Sequence, residues 1–214
     1  MFAIASLQVQ AQSFDPAIYK VGTKYPGYII RLNGDTSYGF VEADYRCSYS
    51  GLGSSNQSQC KFFLNESDRK PEGKYGPKEI KAYQIADMHY RSIEKTGMIK
   101  STDFYLLVED GHLSHYQSYM TNEGFSTMSK GSNETQEEFD KRRFKTLDYY
   151  HRPGISPFQY SELAVGGFAK KLSAALSDYP ELSNKIKEKE EGYRLLQFYD
   201  IIKEYNTYFK TKED

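Results

Sequence analysis

Between Tyr25 and Glu42 apolar and polar positions alternate as in two strands folded about a turn. Tyr28, Ile30 and Leu32 alternate with Ile29 and Arg31, Asn33-Gly34-Asp35 supplies residues that tolerate positive φ, and Tyr38, Phe40 and Val41 resume the extended pattern. Strand character continues through Lys61–Leu64, Glu79–Ile85 after the turn Gly73–Pro77, and His89–Ile93. Phe104–Val108 and Leu113–Tyr116 form a further hairpin across Glu109–His112. About seven strands joined by short turns predict an antiparallel sheet, as a roll, sandwich or partly closed barrel.

The pattern changes near Thr121. Residues 122–133 are polar and contain glycine, and Thr135-Gln-Glu-Glu138 fits a capping box opening a helix through Tyr150. After the break Arg152-Pro-Gly-Ile-Ser-Pro157, Phe168, Leu172, Leu176 and Tyr179 recur at helical spacing. Pro180 suits a first helical turn, with Leu182 and Ile186 on one face, and a last helix carries Tyr193, Leu196, Tyr199, Ile202 and Tyr205. Leu196 is thus expected inside and Lys187 and Lys189 in water.

The fold expected is α+β: an N-terminal antiparallel β-sheet followed by a C-terminal helical segment of about three helices. Four parts follow: residues 1–11 as a truncated signal, 12–121 as the β module, 122–157 as a linker with one helix, and 158–214 as the helical module.

Composition narrows the function classes. Lys+Arg total 28 and Asp+Glu 29, so there is no global field to recruit nucleic acid or an anionic membrane. Mean hydropathy is −0.73, and no apolar run approaches the ~20 residues of a membrane-spanning helix. The chain has 20 Tyr and 13 Phe but no Trp, a balance that favours strands and also supplies contact surface.

Met1-Phe-Ala-Ile-Ala-Ser-Leu-Gln-Val9, followed by Gln10-Ala11-Gln12, places small residues at Val9 and Ala11 as a signal peptidase requires. Cleavage after Ala11 would leave Gln12 first. The stretch lacks a basic leading region, so the alternative is an ordinary first strand. Cys47 and Cys60 flank a polar Gly/Ser loop at the neck of two strands. If those strands pair, a disulfide closes the loop, stabilising by about 3 kcal/mol and implying an oxidising compartment. The alternative is two buried thiols. Structural zinc is not expected from two cysteines without a matching pair.

Three stretches carry a resemblance: Gly-Asp-Thr-x-x-Gly at Gly34 to Gly39, Tyr75-Gly-Pro-Lys-Glu-Ile80, and Leu176-Ser-Asp-Tyr-Pro-Glu-Leu182 leading through Lys185-Ile186 to Tyr205-Asn206. Together they make the chain resemble, over most of Gly27 to Asn206, a family of exported proteins common in Bacteroidetes. The resemblance implies an envelope or secreted setting and supplies no catalytic residues. The long Cys47 to Cys60 loop departs from it.

Candidate chemistry is sparse. His112 and His115 point to opposite faces if both lie on a strand, which disfavours a shared metal. Asp35 reads as turn chemistry and Glu42 and Asp44 as solvated strand positions, so a carboxylate pair for hydrolysis is the weaker reading. Lys141-Arg-Arg-Phe-Lys145 is basic with an aromatic, but Glu137, Glu138 and Asp140 beside it favour a solvated helix face over a nucleic-acid contact. No nucleophile elbow, phosphate loop or dinucleotide fingerprint is present. The expectation is a non-catalytic exported binding protein without cofactor, metal or transmembrane segment, its partner a protein or glycan of the cell envelope. An envelope hydrolase with an acid and base brought together by folding is the alternative.

Overall fold

A computed structural model describes residues 19–44, 55–95, 101–121 and 129–213. Its sheet has nine antiparallel strands and is not closed: β1 (Lys24–Arg31), β2 (Thr36–Glu42), β3 (Cys60–Phe63), β4 (Gly73–Tyr75), β5 (Ile80–Ile85), β6 (Met88–Lys95), β7 (Ser101–Glu109), β8 (Ser114–Thr121) and β9 (Phe144–His151), ordered β4-β3-β2-β1-β5-β6-β7-β8-β9. The helices are α1 (Ser55–Ser58), α2 (Gln136–Arg143), α3 (Tyr160–Ala164), α4 (Phe168–Ala175), α5 (Pro180–Lys187) and α6 (Phe198–Glu213). The α+β class is therefore as expected, with two strands more than the pattern indicated and four helices after residue 158 where about three were expected.

Those two have identifiable causes. β4 was hidden inside a stretch dominated by turn residues, and it pairs with β3 through Cys60↔Tyr75. β9 replaces the second half of the expected helix. The capping box between Thr135 and Glu138 forms, but α2 ends at Arg143 and Phe144 is already extended. From there Phe144-Lys-Thr-Leu-Asp-Tyr-Tyr-His is rich in aromatic residues that suit a half-buried strand.

By its internal contacts the chain divides into two units. The first comprises the residues up to Val108 together with Tyr116–Leu147, and the second Glu109–His115 with Asp148–Asp214. In the first unit the β1–β2 hairpin sets the register, pairing Tyr28 with Tyr38 and Ile30 with Thr36. Its turn closes by hydrogen bonds from Gly34 N–H to Arg31 O (2.9 Å) and from Arg31 N–H to Asp35 O (2.8 Å). Gly34 sits at φ +98°, a conformation that explains glycine in this loop. Gly39 is required for a different reason: a Cβ there would lie 2.3 Å from the Phe63 carbonyl oxygen and 2.8 Å from the Phe62 ring.

Ile29, Val41, Phe62, Tyr83, Tyr90, Phe104, Leu106 and Tyr119 form one buried cluster, so strands from β1 to β8 bend around a common interior. Tyr83 and Tyr90 stack at 4.7 Å, with Phe104 edge-on to Tyr83 at 4.9 Å. Burial pushes both tyrosine hydroxyls well above their ordinary pKa.

The short helix α1 ties this unit together. Asn56 and Gln57 belong to a stretch read as an open polar loop, yet both side chains are buried. Asn56 accepts from Asp44 N–H and donates to Glu42 O, while Gln57 does the same for the N–H and C=O of Tyr119. Each amide mimics a neighbouring strand, offering one donor and one acceptor to buried backbone groups.

The second unit has its own core of Leu172, Leu176, Leu182, Ile186, Phe198, Ile201, Ile202 and Tyr205. Leu172, Leu176, Leu182 and Ile186 are buried as the helical spacing indicated, and Pro180 opens α5. The expected burial of Leu196 is wrong. It is 87% exposed, because Leu195–Gln197 form a 3₁₀ turn and the buried stripe of α6 begins at Phe198 and runs through Ile201, Ile202 and Tyr205. Among the described residues no helix is long and apolar enough to cross a membrane.

Candidate functional site

Successive side chains on a strand face opposite ways, so the buried positions Ile29, Tyr83 and Tyr90 leave Tyr28, Gln84 and His89 on the other face of the sheet. The register aligns them. Tyr38 on β2 lies opposite Tyr28 on β1, Tyr28 opposite Gln84 on β5, and Gln84 opposite His89 on β6. The Tyr28 and Tyr38 rings meet edge to face with centroids 5.9 Å apart. Across Gln84 the Tyr28 hydroxyl shares a 3.2 Å hydrogen bond with His89 Nδ1. Tyr38 is 77% exposed, whereas Tyr28 and His89 are partly covered.

This row is hydrogen-bonded at one end and open at the other. Partial burial raises the Tyr28 pKa, the neighbouring Tyr38 adds to the rise and Arg91 opposes it, so its hydroxyl remains protonated at neutral pH. Next to it on the same face, Arg91 donates from Nη1 to the Tyr116 hydroxyl at 3.4 Å. The arrangement offers an aromatic surface, an imidazole and a guanidinium on a sheet that holds them in place.

The residues singled out from sequence take other roles. Asp35 stays in its turn, accepting from the Asn33 side-chain amide at 2.7 Å. Glu42 and Asp44 do come together, but on Lys61, at 2.6 and 3.6 Å, and Asp44 is buried rather than the solvated strand position expected. The hydrogen bond to Glu42 raises the Lys61 pKa, partial burial opposes it, and the nearby charges of Glu42 and Asp44 reinforce the rise. On α2, Lys141 pairs with Glu137 at 2.7 Å, and Arg142 grips Glu134 with two bonds of 2.7 and 2.8 Å. That grip holds the Glu134 carboxyl down at about 2. Acidic residues near the start of α2 and basic ones at its end also suit the helix dipole.

Cys60 is fully buried, and burial pushes the pKa of its thiol up. Cys47, the other half of the expected bridge, lies outside the described residues, as does the expected signal at residues 1–11. The bridge is therefore not among the bonds of the described residues.

His112 and His115 both belong to the second unit and do not converge on one point. His112 donates from Nε2 to Asp178 at 2.9 Å and stacks on Phe209 at 3.6 Å, while His115 pairs with Asp148 at 2.9 Å and stacks on Tyr150 at 4.9 Å. Among the described residues no group of three or more His, Cys, Asp and Glu is placed to hold a metal ion. Asp178 is the more elaborate partner. It accepts from the Tyr205 hydroxyl at 2.6 Å and lies 3.3 Å from Arg152 Nη2. Burial alone would raise its pKa, but the bonds from Tyr205 and His112 and the charge of Arg152 outweigh it and leave the carboxyl low.

Asn206 completes this cluster by binding the backbone of the 109–115 turn, accepting from Leu113 N–H at 2.8 Å and donating to Leu113 O at 3.1 Å. The motif pieces around Asp178 and Tyr205-Asn206 thus meet at one turn. Sequence reasoning assigned no role to Asp178, Asn206, Asn56 or Gln57, and no spacing rule could have found them. The Tyr28–Tyr38 pair was implicit in the hairpin register, but His89 reaches it only because β5 pairs with β1.

No family model, curated protein or solved structure matches this chain.

Proposed function

We propose that this is a non-catalytic binding protein of the cell envelope, exported from the cytoplasm, whose contact surface is the outward row Tyr38–Tyr28–Gln84–His89. The observation that carries the reading is Tyr38, a large aromatic left 77% exposed beside a ring fixed by its own hydrogen bond. Tyrosines held in this way contribute contact area at low entropic cost, and their hydroxyls bond equally to a protein backbone or to sugar hydroxyls. A protein or glycan of the envelope is the partner class. Export rests on the apolar stretch Met1–Val9 and on the resemblance to exported Bacteroidetes proteins. The Cys47–Cys60 bridge belongs to the same proposal, and non-reducing peptide mapping of protein from the native host would recover both cysteines in one linked peptide.

The binding reading also draws on how the charged candidates are used. Glu42, Asp44, Glu134 and Glu137 each hold a cation, and His112 and His115 each hold a carboxylate. Co-sedimentation with isolated envelope fragments of the native host tests it. Binding should saturate and fall about tenfold or more in Tyr38→Ala, a loss of the size expected of an interface anchor. Equal sedimentation of the two proteins would refute the assignment of the surface.

One observation favours the second reading, an envelope hydrolase. His112 is held by a carboxylate that Tyr205 and Arg152 themselves fix, as in an oriented acid–base pair. On that reading His112→Gln abolishes turnover of an envelope ester or glycan, and on the binding reading it changes only stability.

A further inference from the structure

The second unit contains an open groove of about 600 Å³ between the start of α4 and residues 187–195. Its walls are apolar, formed chiefly by Phe168, Tyr193 and Leu195, and the exposed basic residues Lys170, Lys187, Lys189 and Arg194 stand around its rim. No acidic residue lines it among the described residues, although Glu188, Glu190 and Glu191 lie in the same segment. Lys187 and Lys189 border the groove while their side chains stay exposed to water, and the glutamates of the segment do not border it.

At the end of α5, Lys189 N–H bonds Ile186 O and Glu190 N–H bonds Lys185 O, both at 3.1 Å, which is the helix-ending pattern that places its central residue in the left-handed region. Lys189 has φ +58°, where glycine is the residue of least strain. A lysine therefore occupies a position that local backbone chemistry would give to glycine, and its side chain borders the groove. Lys170, Lys187 and Lys189 form no ion pair among the described residues, so their charge is uncommitted. Arg194 makes one bond, from Nε to Lys189 O at 3.4 Å, which ties the two cationic positions together.

Four cations around an apolar cleft complement a ligand with a negative head and an apolar body. We infer that this groove binds a single-chain anionic amphiphile of the fatty-acid type, its head among Lys170, Lys187, Lys189 and Arg194 and its chain against Phe168 and Tyr193. A groove of this volume lies within the range that encloses one small ligand.

Calorimetric titration with decanoate tests the assignment, using decyltrimethylammonium and inorganic phosphate as probes of chain alone and head alone. Decanoate should bind one to one, with both controls at least about tenfold weaker. Lys189→Gly should bind decanoate more weakly while melting at the same or a higher temperature, since it relieves backbone strain. Lys170→Gln and Lys187→Gln should weaken binding with unchanged melting, and Tyr38→Ala, in the other unit, should bind decanoate normally whatever its effect on envelope binding. Phosphate or decyltrimethylammonium binding as tightly as decanoate, unchanged affinity in Lys189→Gly, or attachment to phosphatidylglycerol vesicles without decanoate binding would each overturn the inference.

Discussion

Gln57 hydrogen-bonds both backbone groups of Tyr119, donating to its carbonyl and accepting from its N–H at 2.7 Å each. The amide stands where a further strand would stand, inside the first unit and shielded from water. Removing it takes both of these hydrogen bonds from buried backbone groups, a loss of about 2–4 kcal/mol. Urea unfolding should show this for Gln57→Ala. Gln57→Glu should fare no better, because an ionised carboxylate can accept from the N–H but cannot donate to the carbonyl. A melt within about 0.5 kcal/mol of the parent would mean the pairing contributes nothing to stability.

The second unit offers a contrast along six residues. Leu196→Ala should be nearly silent, since that side chain is in water, whereas Ile201→Ala removes a buried side chain and should cost about 2–5 kcal/mol. Thermal melts of the pair decide the register of the last helix. Loss at Leu196 without loss at Ile201 would place the 3₁₀ turn and the start of α6 wrongly.

Asp178 predicts an acid limb in stability. Its folded pKa lies below the ordinary value of 3.8, so its contribution is present above that value and is lost as the pH falls through the lower folded value. In Asp178→Asn this part of the acid dependence should flatten. Carboxyl titration by NMR gives an independent check, with the Asp178 midpoint below the ordinary range and that of Glu134 near 2.

The parts of the fold legible in the sequence were those written in local periodicity. Tyr28 to Phe40 alternates about a turn that needs Gly34, Thr135 and Glu138 cap a helix reciprocally, and Leu172 to Ile186 repeats at helical spacing; each is a short-range rule. What escaped was set at long range. β9 was concealed because a valid helix start at Thr135 says nothing of where the helix stops, and Leu196 misled because its spacing fits a stripe whose true origin is Phe198. For the candidate surface, Tyr38 and Tyr28 follow from the hairpin, but His89 joins them through β5, which pairs with β1 from about fifty residues away.

The most direct test of the binding surface is site-specific photocrosslinking in the native host. A photoreactive residue placed at Tyr38, and separately at the exposed position Lys210 in the other unit, reports what each surface touches in the intact envelope. The account predicts a discrete adduct with an envelope protein or glycan from position 38, weakened by Tyr28→Ala, and none of that size from position 210. No adduct from position 38, or the same adduct from both, would contradict it.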